Sequence, residues 1–285
     1  MKYRFSIALL LIVVVNAFGQ TPHSLLWKIS GNGLNKPSYL FGTIHLICPK
    51  DYVWTPAMKT AFSESEKIGL EMNINDPKVM REVSEGIVDP DGKKLTDYYT
   101  PDQFKMLKKF FKDSIGMDLS MFNSMKPMAV LSMLEMKCAK CLMPQSYEEK
   151  MAQDARSTNK QIFGLEEASE QIDVLSTVPT DTAVQNLLEA PNDFSKSKEE
   201  YQKLIDAYKA QDLPRLFEMI ATREGGLGDK KASFLDNRNI KWIPRMSERM
   251  KYNSVFFAVG AGHLDGENGV IQLLRKAGYK VEPQM

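Results

Sequence analysis

Residues 254–263 read Ser-Val-Phe-Phe-Ala-Val-Gly-Ala-Gly-His, and residues 38–45 read Ser-Tyr-Leu-Phe-Gly-Thr-Ile-His. Each begins as a short run rich in β-branched and aromatic residues, which predicts a strand. Each then turns at a glycine and presents a histidine three residues later: Gly42-x-x-His45 and Gly260-x-x-His263. Two further strand candidates end in a carboxylate, Lys67–Leu70 at Glu71 and Gln161–Leu165 at Glu166. Leu25–Ile29 and Tyr279–Val281 complete the set. Gly31-Asn32-Gly33 marks a hairpin turn between the first two strands.

Long helical patterns separate these strands, at about 76–160 and 167–250. Thr100-Pro101-Asp102-Gln103 and Ser146-Tyr147-Glu148-Glu149 read as helix starts, and Gly116 as a helix end. Pro179, Pro191 and Pro214 are expected to break the second helical stretch, and Pro244 to kink or end it. A last helix is expected from about Gly266 to Lys276. This alternation predicts an α/β fold with a central mixed, largely parallel sheet and extensive helical insertions, in one domain spanning 20–285.

Residues 1–19 read as a secretory signal: Lys2 and Arg4, an apolar run from Phe5 to Val15, then Ala17-Phe18-Gly19 as a cleavage site. The run is short for a membrane span. No cysteine near the cleavage site suggests a lipid anchor, and no later segment is apolar enough to cross a bilayer. Export to the periplasm or beyond is therefore expected. The 285 residues carry a formal charge of +1, and loss of Lys2 and Arg4 leaves 35 basic against 36 acidic residues. That balance argues against a nucleic-acid partner.

Of the three cysteines, Cys138 and Cys141 form a C-x-x-C pair that lacks the strand-to-helix setting of a redox dithiol. A structural disulfide is expected, either Cys138–Cys141 or Cys48 with one of them. A redox or folding helper using Cys138 and Cys141 is the blander alternative. Met117, Met121, Met125 and Met128 recur at helical spacing and read as an adaptable core face.

The chemistry concentrates at strand ends. In open α/β sheets, ligands bind beyond the carboxyl ends of parallel strands. His45, His263, Glu71 and Glu166 would gather there. Two imidazoles and two carboxylates suit Mn²⁺, Co²⁺, Zn²⁺ or Fe²⁺. Other templates fail: there is no H-E-x-x-H helix and no G-x-S-x-G elbow, and Gly260-x-Gly262 misses the dinucleotide spacing.

At these residues the chain resembles the TraB/GumN family, which includes the Tiki-type proteases. The resemblance rests on Tyr39-Leu-Phe-Gly42-Thr-Ile-His45-Leu and on Val259-Gly-Ala-Gly-His263-Leu-Asp-Gly266. Glu71, Lys126-Pro127, Gly164-Leu165-Glu166 with Gln171, and Arg238-Asn239 match weaker features of the family. Met128 departs from it, where an aromatic residue often follows Lys-Pro. The resemblance implies an α/β fold, an active site built from both G-x-x-H motifs, and metal-dependent proteolysis in the Tiki-type members.

The function expected on these grounds is an exported metal-dependent hydrolase acting on a peptide or protein substrate. His45 and His263 would ligate a divalent metal, with Glu71 or Glu166 as a third ligand. The other glutamate would be the general base, and Arg238 would stabilise an oxyanion. The alternative is a non-enzymatic protein that sequesters a peptide or haem, with the same histidines as axial ligands.

Overall fold

A computed structural model describes residues 24–222 and 227–285. The expected signal at 1–19 lies outside the described residues, as does His23. Six strands are found among the described residues: β1 (Leu26–Ser30), β2 (Ser38–Thr43), β3 (Lys67–Leu70), β4 (Gln161–Gly164), β5 (Val255–Gly260) and β6 (Lys280–Gln284). The α-helices are α1 (Pro56–Glu64), α2 (Pro77–Gly86), α3 (Pro101–Phe110), α4 (Pro127–Glu135), α5 (Tyr147–Ser157), α6 (Ala168–Ser176), α7 (Thr180–Lys209), α8 (Leu213–Ala221), α9 (Asn237–Met250) and α10 (Val270–Lys276).

The strands form one mixed sheet in the order β4-β3-β5-β2-β1-β6. The four strands β4, β3, β5 and β2 run parallel, while β1 is antiparallel to both β2 and β6. The β1–β2 connection needs left-handed backbone at three successive residues, Gly31, Asn32 and Gly33. Glycine takes that conformation without steric cost, and asparagine tolerates it.

Both faces of the sheet are covered. Along β5, Val255, Phe257 and Val259 face Trp242, Met246 and Met250 of α9 and Leu274 of α10. Phe256 and Ala258 face Met58 and Phe62 of α1, Tyr147 and Met151 of α5, and Tyr208 of α7. Each fully buried large apolar side chain here contributes roughly 1.5–3 kcal/mol. A third apolar cluster joins α3, α4 and α7 through Leu107, Phe110, Val130, Leu134, Leu187 and Phe194. No helix among the described residues is long and apolar enough to cross a membrane.

Three local expectations need correction or refinement. Pro191 does not break the chain; it lies inside the 30-residue helix α7. Leu187, Ala190 and Phe194 are buried around it, and that packing outweighs the roughly 3 kcal/mol an interior proline costs. Pro244 likewise stays inside α9, whose Trp242, Met246 and Met250 are buried against the sheet. The last helix begins at Val270, after a 3-10 turn at Ala261–His263. Pro179 caps α7, and Pro214 lies in the first turn of α8, as breaks should.

The cysteine pairing resolves to Cys48–Cys141, with Cys138 a buried free thiol. The C-x-x-C pair is thus not bridged to itself. The methionine stripe does not converge either. Met117 and Met125 pack on the helical cluster, whereas Met121 is exposed.

The register fixes where the polar residues emerge. Thr43 pairs with Gly260, Leu70 with Ala258, and Leu70 with Gly164. The carboxyl ends of β4, β3, β5 and β2 therefore lie side by side. The segment carrying His45 is fastened along its length. Tyr208 donates its hydroxyl hydrogen to the Gly42 carbonyl at 2.8 Å, and Thr43 Oγ1 donates to Glu148 Oε1 at 2.6 Å. Tyr201 donates to the Leu46 carbonyl, Ile47 pairs with Gln145, and Cys48 is bridged.

Candidate active site

Glu71 follows β3 directly, and Glu166 follows β4 by two residues. The Glu166 N–H donates to the Glu71 carbonyl at 2.9 Å, extending the β3–β4 ladder and setting the two carboxylates side by side. Gly260, at the end of β5, donates its N–H to Glu71 Oε1 at 2.7 Å. A β-carbon at Gly260 would lie 3.3 Å from that oxygen, so glycine leaves the carboxylate room to approach. Gly42 serves the partner motif: a β-carbon there would meet Ala261 Cα at 3.2 Å and Leu264 Cδ2 at 3.0 Å. The two G-x-x-H turns are packed against each other through this glycine.

Arg238 comes from the first turn of α9. Trp242, Met246 and Met250 follow at four-residue spacing and are buried against the sheet. Position 238 continues that stripe past the edge of the sheet, towards the strand ends. Its guanidinium binds both glutamates. Nη2 donates to Glu71 Oε2 at 2.5 Å and to Glu166 Oε1 at 2.6 Å, and Nε donates to Glu166 Oε2 at 3.0 Å. Nη1 donates to the Phe234 carbonyl at 3.0 Å and lies 3.1 Å from His263 Nε2. Glu166 also accepts from Trp242 Nε1 at 3.3 Å and from Gln171 Nε2 at 3.2 Å.

His263 is buried, with its ring centroid 4.5 Å from that of Trp242. Asn239 sets its tautomer. The Asn239 amide nitrogen donates to the carbonyls of His263 and Asn268, at 3.2 and 2.8 Å. Its oxygen must then accept from His263 Nδ1, 2.6 Å away. The proton resides on Nδ1 and the lone pair on Nε2, which faces Arg238 Nη1 and Glu71 Oε1, the latter at 3.9 Å.

Burial pulls the His263 pKa down to about 3, with Arg238 and His45 adding to the effect against the pull of Glu71. Burial alone would raise the Glu71 carboxyl, but Arg238 foremost, with the Gly260 N–H also contributing, holds it at about 2. Burial pushes Glu166 up, against the pull of its Arg238 ion pair. The first two shifts act on stability in the same direction. The unfolded chain protonates His263 near 6.5 and Glu71 near 4.5, while the folded protein resists until about 3 and about 2. Unfolded protein binds more protons across that window, so stability falls as pH drops from 6.5. Denaturant titrations at about pH 7, 5 and 4 should show a falling midpoint, and His263→Gln should flatten the upper part of the decline.

The sequence-expected residues are thus partly united. Glu71, Glu166, Arg238 and His263 form one hydrogen-bonded cluster. His45 lies outside that network and is exposed, although it stands near enough for its charge to be felt by Glu71 and His263. Lys126 and Pro127 open α4, within the helical layer. Trp242 was not expected; its only signal is the four-residue spacing from Arg238. Asn239 and Gln171 carried no chemical role in the sequence, because their partners lie in distant elements.

No group of three or more His, Cys, Asp or Glu side chains among the described residues is arranged, as it stands, to hold a metal ion. The donor chemistry of Glu71 and His263 nevertheless fits one. His263 is neutral, offers Nε2 inward and donates its other N–H to an oxygen, as metal-binding histidines do. Glu71 is ionised and adjacent. Glu166 fits less well: its oxygens accept four side-chain hydrogen bonds, two from Arg238 and one each from Trp242 and Gln171, where those of Glu71 accept one from Gly260 and one from Arg238.

Metalloprotease TIKI1 of Danio rerio is 24% identical over 313 residues, covering 91% of this chain and 63% of the relative. Metalloprotease TIKI1 of Homo sapiens is 25% identical over 316 residues, covering 91% and 62%. Metalloprotease TIKI2 of Xenopus tropicalis is 24% identical over 315 residues, covering 91% and 60%. The chain spans about three-fifths of the length of these relatives. No solved structure matches it. The profile of the TraB/PrgY/gumN family matches residues 25–283, almost the whole described chain, and the protein belongs to that family.

Proposed function

We propose that this protein is an exported metal-dependent hydrolase that cleaves peptide bonds. The observation that carries the reading is the meeting of Glu71 Oε1 with the unprotonated Nε2 of a neutral, buried His263, beside the exposed His45. The relatives named as metalloproteases support it. His263, Glu71 and His45 would hold a divalent ion of the Mn²⁺, Co²⁺ or Zn²⁺ kind. When bound, such an ion supplies a Lewis acid that polarises a carbonyl and acidifies water.

The chain's own residues do the remaining work. Asn239 holds His263 in the ligating tautomer. The Gly260 N–H orients Glu71. Glu166 is the less reachable glutamate, with a side chain 2% exposed against 13% for Glu71. It anchors Arg238 through two hydrogen bonds, so the two glutamates divide as ligand and anchor. Arg238 keeps a permanent positive charge beside the reacting centre, suited to a developing oxyanion. Export rests on residues 1–19, and the Cys48–Cys141 bridge suits an oxidising compartment.

A peptide library assayed with added Mn²⁺, Co²⁺ or Zn²⁺ tests this. His45→Ala and His263→Ala should each lower kcat/KM by ~10³-fold or more, which is about 4 kcal/mol of transition-state stabilisation. Cleavage that survives both substitutions contradicts the reading.

A further inference from the structure

Arg238 places a fixed cation where the metal donors converge. Every one of its five N–H groups is used inside the protein: by Glu71, by Glu166 twice, by the Phe234 carbonyl and by His263 Nε2. The last contact matters most. His263 Nδ1 carries the proton and is held by Asn239, whose own amide is fixed on two backbone carbonyls. The imidazole therefore has one lone pair to give, on Nε2, and an Arg238 N–H already covers it at 3.1 Å.

We propose that Arg238 is an internal cation that caps His263 Nε2 in the metal-free protein and competes with a divalent ion for that lone pair. The inference rests on the metal-dependent reading above. Two features of the guanidinium make the exchange feasible. Its hold on Glu166 uses Nε and Nη2, so the fork stays anchored when Nη1 gives up the imidazole. The carbonyl of Phe234 also keeps the other Nη1 hydrogen. The N–H released is then the one donor not needed to position the side chain. It lies beside the ligand nitrogen and is free to meet substrate oxygen. The same guanidinium compensates Glu71 and Glu166, so neither buried carboxylate is left without a cation.

The test is calorimetric titration of the purified exported protein with Zn²⁺ and Mn²⁺, comparing wild type, Arg238→Gln and His45→Ala/His263→Ala. Arg238→Gln should bind on the order of 10-fold tighter, the size typical of a change in the residues around metal ligands. It should also gain more thermal stability from Zn²⁺ than wild type does. Should Arg238→Gln not fold, ¹⁵N spectra of the wild-type side chains give the answer. The Arg238 guanidinium and His263 Nε2 signals should move together as Zn²⁺ is added. Unchanged or weaker binding by Arg238→Gln overturns the competition. So does a guanidinium signal that stays fixed while Nε2 responds. If the double histidine variant then still abolishes binding, the metal site stands without this inference. Absence of binding by wild type and Arg238→Gln alike removes both.

Discussion

Arg238→Ala should lower the stability of the metal-free protein by about 3–5 kcal/mol, the cost of stranding buried charge when one partner of an enclosed ion pair is removed. Arg238 and Glu166 are largely buried, at 11% and 2% side-chain exposure, and Glu71 at 13% is little more open. Without the guanidinium, the two carboxylates are left side by side, each with fewer donors. One of them would take up a proton to relieve the repulsion. Glu166→Gln should cost less, because the amide keeps the shape and an oxygen for Arg238. Guanidinium chloride unfolding reads the difference as a shift in midpoint at constant slope. A loss below about 1 kcal/mol for Arg238→Ala would mean that the cluster is solvated and open.

Reducing the Cys48–Cys141 bridge should cost up to about 4–5 kcal/mol, the chain-entropy value for closing a loop of this size. The two cysteines lie 93 residues apart, and the loop between them contains β3 and the helices from α1 to α4. The bridge also fastens the segment that follows β2, three residues beyond His45. Cys48→Ala should therefore both lower the unfolding midpoint and loosen His45, with any metal affinity falling alongside. Cys138→Ala is the control. Its thiol is buried and unbridged, so its loss should cost about 1 kcal/mol and leave the site alone. Equal effects of the two substitutions would mean that the bridge adds nothing to the native fold.

The strand ends were legible in the sequence because each strand is short and apolar and stops at a polar residue. Gly42 to His45, Glu71, Glu166 and Gly260 to His263 all follow from that local pattern. Helix starts at Thr100 and Ser146 were legible too, since capping is a local interaction; both side chains accept the third-position N–H. The order of the strands was not, because hydrogen bonding between β3 and β5 joins residues nearly two hundred positions apart. The Arg238 cluster was half legible. The residue types stand out locally, but the contact of Arg238 with Glu71 spans 167 positions and depends on how α9 lies across the sheet. Pro191 misled for the same reason: a local rule was outweighed by the burial of Leu187 and Phe194 in a tertiary cluster. Disulfide pairing, too, depends on which loops the fold brings together.

The most direct measurement is elemental analysis of the purified protein after incubation with Mn²⁺, Co²⁺ or Zn²⁺ and removal of free ion, wild type beside His45→Ala/His263→Ala. Roughly one divalent ion per chain in wild type, lost in the double variant, is the expected result for a site built from both G-x-x-H turns. No ion in either protein, or an equal amount in both, would contradict a metal centre at these residues.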